Sequence, residues 1–127
     1  MQLAQHIVDF INAASAKALA TNGPAGLNVV PVSVIKAEVD QIFLYNFFMN
    51  KTAANIPLPN TPVALTCWEG LRGVQLRATA TIDTQSEQYA TEQTAMLQQF
   101  PNRTLASLIV LRPTEVFDVS VGEEKVV

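Results

Sequence analysis

The 127-residue chain carries 8 Lys and Arg against 11 Asp and Glu, a formal charge of −3, so it has no basic field to attract nucleic acid or an anionic membrane. Hydrophobic residues make up 49% and charged residues only 15%. That is enough apolar side chain for one domain over residues 1–127 and little charge to cover its surface, a balance that points to a buried oligomer interface.

From the N-terminus, residues 1–6 lack the basic start and apolar stretch of a signal peptide. The single cysteine excludes an internal disulfide framework, and the apolar runs over 29–35 and 105–111 are too short to span a bilayer. A cytoplasmic location with no membrane association is the expectation. Leu3, Ile7, Phe10, Ile11 and Ala14 recur at helical spacing, which predicts an amphipathic first helix packed on a sheet. A short strand over 18–21, the turn Asn22-Gly23-Pro24-Ala25-Gly26 and a long strand over 27–36 then read as a hairpin. Pro31 cannot donate to a ladder, so its strand is an edge there or is bulged where something approaches the backbone.

A third strand over 41–45 follows, and Pro57 and Pro59 end a short helix after it. Strands over 63–68 and 74–82 continue the meander. Thr84 and Glu87 have capping-box spacing before a helix whose inner face carries Tyr89, Met96, Leu97 and Phe100. Strands over 105–111 and 116–119 finish the chain, with no repeats or low-complexity segments. The expected fold is mainly β, of the α+β class: an antiparallel split β-barrel of about six to seven strands with flanking helices.

One segment stands out for function. From Asn46 through Phe47, Phe48, Met49, Asn50, Lys51 and Thr52 to Asn55, an apolar strand runs into polar donors and then a helix start. Free backbone N–H groups, the Lys51 charge and the Asn50 and Thr52 side chains suit a phosphate. The plainer reading makes Asn50 an N-cap, Lys51 a solvated residue and Thr52 an ordinary first-turn residue.

The order of elements decides between them. Asn28-Val29-Val30-Pro31-Val32, Lys51-Thr52-x-x-Asn55, Asn60-x-Pro62-Val63-Ala64-Leu65, Gln75-Leu76-Arg77-Ala78-Thr79-Ala80 and Val116-Phe117-Asp118-Val119-Ser120 occur in succession. The chain resembles, over nearly its whole length, the pyridoxamine 5'-phosphate oxidase-like family, and more narrowly that family's short FMN-binding split-barrel proteins. The resemblance implies FMN held noncovalently at a homodimer interface. Its phosphate would lie near Asn50, Lys51 and Thr52, with Val30, Pro31, Val32, Asn46, Phe47 and Phe48 around the ring and ribityl chain, and Gln75 reaching the flavin from the partner subunit.

The sequence also departs from the family's better-known enzyme. Met49-Asn50-Lys51 stands where a Ser-Arg-Lys triplet is usual, so one phosphate-binding arginine is missing, and Ala78 stands where a Gly is usual. The Arg- and His-containing segment that grips the vitamin phosphate has no counterpart before Val127, which disfavours vitamin B6 oxidation.

Other chemistry is thin. His6, the only histidine, reads as a helix-surface residue, and Cys67 as a small buried hydrophobe, so neither a Ser-His-Asp set nor a zinc site assembles. Asp83, Glu87, Glu92, Glu123 and Glu124 read as solvated, and Trp68 as core. Of the adjacent Phe47 and Phe48, one at most would face a given pocket wall if the strand continues. The leading expectation is a dimeric FMN-binding oxidoreductase or electron-transfer protein. A binding module or carrier using the same cleft, and a scaffold that has lost FMN, stay beside it, and FMN is not separable from a related deazaflavin.

Overall fold

The computed structural model describes residues 1–122 and 125–126. Glu123 and Glu124, expected to be solvated, lie outside the described residues. The elements in order are α1 (Gln5–Ala13), β1 (Ala16–Gly23), β2 (Gly26–Pro31), β3 (Ile35–Ala37), β4 (Ile42–Asn46), α2 (Asn50–Ala54), β5 (Thr61–Glu69), β6 (Arg72–Asp83), α3 (Glu87–Gln99), β7 (Ser107–Asp118) and β8 (Lys125–Val126).

Alternation along the long strands sets the two faces of the sheet. Leu19, Leu65, Leu76 and Val116 stand opposite one another on β1, β5, β6 and β7 and are all buried. The neighbouring cross-strand row, Ala18, Thr66, Gln75 and Phe117, faces the other way and stays partly open. All pairs are antiparallel, in the order β2-β1-β5-β6-β7-β4-β3, with β8 on β7.

The strand expected over 27–36 is two strands. β2 is an edge, and it ends at Pro31, which has no N–H to extend the ladder. Val32 N–H makes one more bond, to Lys17 O at 3.0 Å, and residues 32–34 then carry the chain to β3 at the other end of the strand order. Two consecutive strands can hold opposite ends of a sheet across so short a link only if the sheet curls until its ends approach. The result is a split barrel, with that junction made by covalent chain rather than by a ladder.

α1 packs its buried Ile7, Val8 and Ile11 into the main core, each worth roughly 1.5–3 kcal/mol when fully buried. Asn12 pins the helix to β3 by donating to Ala37 O at 3.0 Å and accepting from Ala37 N–H at 2.8 Å. Every residue of β4 is buried because both its faces are covered. Ile42 and Leu44 join the main core, while Phe43 and Tyr45 join a second cluster with Met96 of α3, Leu105 and Leu108.

Several expectations are corrected. Residues 107–118 form one strand, not two, because a bulge absorbs Pro113: Ala78 faces Pro113, Arg77 faces Glu115, and the extra Thr114 donates its hydroxyl to Arg77 O at 3.1 Å. The N-cap of α3 is Ser86, whose hydroxyl accepts from Tyr89 N–H, so Thr84 and Glu87 make no capping box. Leu97 is 47% exposed, and the inward position belongs to Glu92. Trp68 is 41% exposed on the outer face rather than in the core.

Candidate functional site

The chain leaves β4 through an Asx-type turn: Asn46 Oδ1 accepts from Met49 N–H at 2.7 Å, while Asn46 Nδ2 donates to Ser107 Oγ at 2.9 Å. The N-cap of α2 is therefore Met49, without a side-chain bond, and Asn50 occupies the first helical position, not the cap. Two buried amides lock this short helix to the β1–β2 hairpin. Asn28 Nδ2 donates to Thr52 Oγ1 at 3.2 Å, and Asn55 Nδ2 donates to Thr21 Oγ1 at 3.0 Å and Gly26 O at 2.7 Å. Asn55 Oδ1 also accepts from Ala25 N–H at 2.7 Å. Gly23 sits so close to Asn55 that a Cβ there would stand 3.0 Å from its backbone.

A cleft of about 290 Å³ opens where β2, the end of β4 and the segment before β7 meet. Val30, Pro31, Ser33, Tyr45, Phe47, Phe48, Met49 and Arg103 line it. Arg103 comes from the segment between α3 and β7, and its guanidinium lies 5.5 Å from the Phe47 ring centroid and 4.5 Å from that of Phe100. Such a wall of aromatic and apolar groups with one cation suits a flat heteroaromatic molecule bearing an anionic group. The cleft lies at the low end of the roughly 300–1,000 Å³ usual for small-molecule sites.

Of the expected site residues, the structure brings Val30, Pro31, Phe47 and Phe48 to this cleft. Phe47 and Phe48 both line it, although adjacent, because β4 has ended at Asn46 and strand alternation no longer applies. Phe47 is half-buried against Phe100, and Phe48 is 79% exposed. Asn50 and Lys51 stand exposed on α2, just beyond the lining residue Met49. Val32, Asn46 and Thr52 do not reach the cleft. Val32 turns into the main core, Asn46 is occupied by Met49 and Ser107, and Thr52 is fully buried against Asn28. Gln75 lies on the outer face in the row Pro31, Ala18, Thr66, Gln75. Three strand spacings put it about 14 Å from Pro31, too far to touch the cleft of its own chain.

The sequence reading missed Ser33, Tyr45 and Arg103 as lining residues, while Met49 fits the alternative of that reading that makes it a cover for the pocket. Arg103 had no motif around it, and only the packing of its segment on Phe47 reveals it. Glu92, expected to be solvated, is 8% exposed and accepts from Tyr45 Oη at 2.7 Å and from Gln88 Nε2 at 2.9 Å, with Lys36 Nζ 3.8 Å away. Burial first, and then this bond to Glu92, push the Tyr45 hydroxyl well above the usual phenol range. Burial pushes the Cys67 thiol up to about 12, which leaves it an inert core group. His6 is exposed and lines a different cavity, with Arg72, Asp118 and Ser120. Among the described residues no helix is long and apolar enough to cross a membrane.

The fold is shared with solved structures at low identity. HupZ of Group A Streptococcus is 17% identical with a TM-score of 0.80, covering 97% of this chain and 98% of that one. An FMN-binding protein from Syntrophomonas wolfei is 14% identical with a TM-score of 0.73, covering 94% and 90%. HutZ, the heme storage protein from Vibrio cholerae, is 17% identical with a TM-score of 0.60, covering 99% and 95%. At these identities the likeness carries the fold alone. No curated protein matches the sequence. The family model for pyridoxamine 5'-phosphate oxidase matches residues 3–123, almost the entire length, so this chain belongs to the pyridoxamine 5'-phosphate oxidase family.

Proposed function

We propose that the protein binds FMN in the cleft beside Met49 and acts as a small oxidoreductase or electron-transfer protein. The observation that carries this reading is the convergence of Pro31, Phe47, Phe48 and Arg103 at the entry to the helix bearing Lys51, in a chain of this family. The aromatic walls would hold the ring, and the cations would offset the phosphate. FMN itself would supply the electron or hydride chemistry, and the chain's part is to bind, orient and shield it. A cytoplasmic location belongs to this reading and agrees with the single unpaired cysteine.

A homodimer completes the reading. The outer face of β2, β1 and β5 carries small residues, Ala18, Ala20 and Ala64, beside the exposed Leu27 and Val29. Pro31 belongs both to this face and to the cleft, so a second copy seated here would add a wall to the cleft and bring a Gln75 toward it.

The likeness to HutZ raises haem as another ligand, and the cleft supports it less well. Its axial-ligand candidates are Met49 and Tyr45, the Tyr45 hydroxyl is committed to Glu92, and His6 lies elsewhere. A carrier without turnover would use the same cleft, and steady reduction and reoxidation with NAD(P)H or another donor separates it from an enzyme.

The test is the visible absorption spectrum of the purified protein with and without added FMN, followed by identification of any released nucleotide. Flavin bands that stay with the protein through gel filtration are expected. Their absence after FMN addition would remove the cofactor from this site.

A further inference from the structure

Resting on the flavin reading, we infer that Arg103 grips the ligand's phosphate and makes the cleft selective for phosphorylated over unphosphorylated flavin. It would replace, from the opposite wall, the arginine missing from Met49-Asn50-Lys51.

Three observations point the same way. Arg103 is half-buried in a cleft whose other walls are mostly apolar and aromatic, and Met49, from the arginine-poor triplet, lines that same cleft. Among the described residues its charge is also unspent. The ion pairs among the described residues are Lys36–Glu92 at 3.8 Å and Arg77–Glu115 at 3.3 Å, and Arg103 takes part in neither.

The guanidinium is, in addition, held in place before any ligand arrives. Its Cζ lies within cation–π distance of both Phe47 and Phe100, at 5.5 and 4.5 Å from the ring centroids, and those rings meet edge to face at 5.9 Å. The segment that carries it is anchored at both ends: Arg103 N–H bonds to Phe100 O at 3.0 Å, Tyr89 Oη donates to Leu105 O at 2.8 Å, and Ala106 N–H bonds to Asn46 O at 2.8 Å. Among the described residues no acceptor takes the Arg103 guanidinium N–H groups, and that planar fork matches two phosphate oxygens at once while losing little side-chain entropy on binding. A lysine on the same segment would offer a point charge without the fork.

The experiment compares FMN and riboflavin affinities, by flavin fluorescence titration, for the unmodified protein, Arg103→Lys and Arg103→Gln, with thermal melts to confirm folding. Arg103→Gln is expected to weaken FMN about tenfold or more and riboflavin no more than about twofold, with Arg103→Lys in between. Equal losses for both flavins would make Arg103 a support for the ring or for the Phe47–Phe100 pair, and would overturn the inference. Unchanged FMN affinity would do the same. If the unmodified protein binds neither flavin, the cofactor reading falls and takes this inference with it, whereas binding without phosphate selectivity overturns this inference alone.

Discussion

The Tyr45 hydroxyl donates to Glu92 Oε2 at 2.7 Å and so ties the floor of the cleft to the buried face of α3. Tyr45→Phe keeps the ring that lines the cleft but removes a donor to a buried carboxylate. A loss of about 1.5–3 kcal/mol in urea unfolding is expected, as for a hydrogen bond to a charged group. Flavin affinity should stay within about twofold, because the removed atom faces α3. A stability change near zero would mean that Gln88 and Lys36 satisfy Glu92 without help.

The same pair predicts a pH dependence. The folded-state pKa of Tyr45 is raised by burial first and by Glu92 second, above about 10 for a phenol in the unfolded chain. Above that pH the unfolded chain releases a proton that the folded chain keeps, so stability is full below about pH 10 and falls as pH rises further. Denaturant unfolding across that range should show a steeper alkaline decline for the unmodified protein than for Tyr45→Phe. Parallel curves would remove Tyr45 as the cause.

At the acid end the relevant pair is Asp83 and Ser86. Burial alone would raise the Asp83 pKa, but the Ser86 hydroxyl and the N–H groups of Ser86 and Gln85 hold it below the usual carboxylate range. A depressed folded-state pKa contributes stability that is present above about pH 4 and lost as pH falls through the folded value. Ser86→Ala removes both the cap on Tyr89 N–H and a donor to Asp83, at about 1 kcal/mol. Its acid unfolding midpoint should move upward, and an unmoved midpoint would show that Asp83 keeps its low pKa through backbone N–H groups alone.

Much of this fold was legible because strand alternation and turn residues are local signals. The hairpin at Pro24-Ala25, the edge position of Pro31 and the inward row through Leu65 and Leu76 all follow from them. What local signals could not give is which strands meet. A strand break at Pro31 that sends β3 to the far end of the sheet, and a bulge that carries β7 past Pro113, depend on partners remote in sequence. The site was legible in the same measure. The family resemblance implies Phe47 and Phe48 at the site, but the Thr52 and Asn55 of the neighbouring motif turn inward to hold α2, and Arg103 arrives from a segment nearly fifty residues later.

Asn55 gives the test of that structural role. It is fully buried and serves Ala25 N–H, Thr21 Oγ1 and Gly26 O together. Asn55→Ala leaves several of these groups unpaired, each worth roughly 1–3 kcal/mol, so a loss of at least about 2 kcal/mol is expected. Gly23→Ala should also destabilise, by about 1–3 kcal/mol, since its Cβ meets the Asn55 backbone at 3.0 Å. Flavin affinity would fall in both variants through displacement of α2 rather than loss of a ligand contact. Normal stability for Asn55→Ala would return the motif to a direct binding role.

Lys51 separates a ligand contact from a scaffold contact in the opposite sense. It is exposed on α2, so Lys51→Ala should leave the melting temperature nearly unchanged. FMN affinity should fall about tenfold, because a phosphate loses one of its two proposed cations. Unchanged affinity by fluorescence titration would place the phosphate at Arg103 alone.

The shared cleft makes the final prediction. If two copies meet on the outer face of β2, β1 and β5, light scattering should give a mass near twice 13.8 kDa at micromolar concentration. Val29, 69% exposed within one chain, then sits at the contact, and Val29→Glu buries an unpaired charge there. The variant should become monomeric yet keep its secondary structure, because within one chain nothing packs over this residue. It should also lose most of its FMN affinity although no residue lining the cleft has changed. A variant that stays dimeric moves the interface to another face, and a monomeric variant with full affinity shows that one chain completes the site, leaving Gln75 without a part in it.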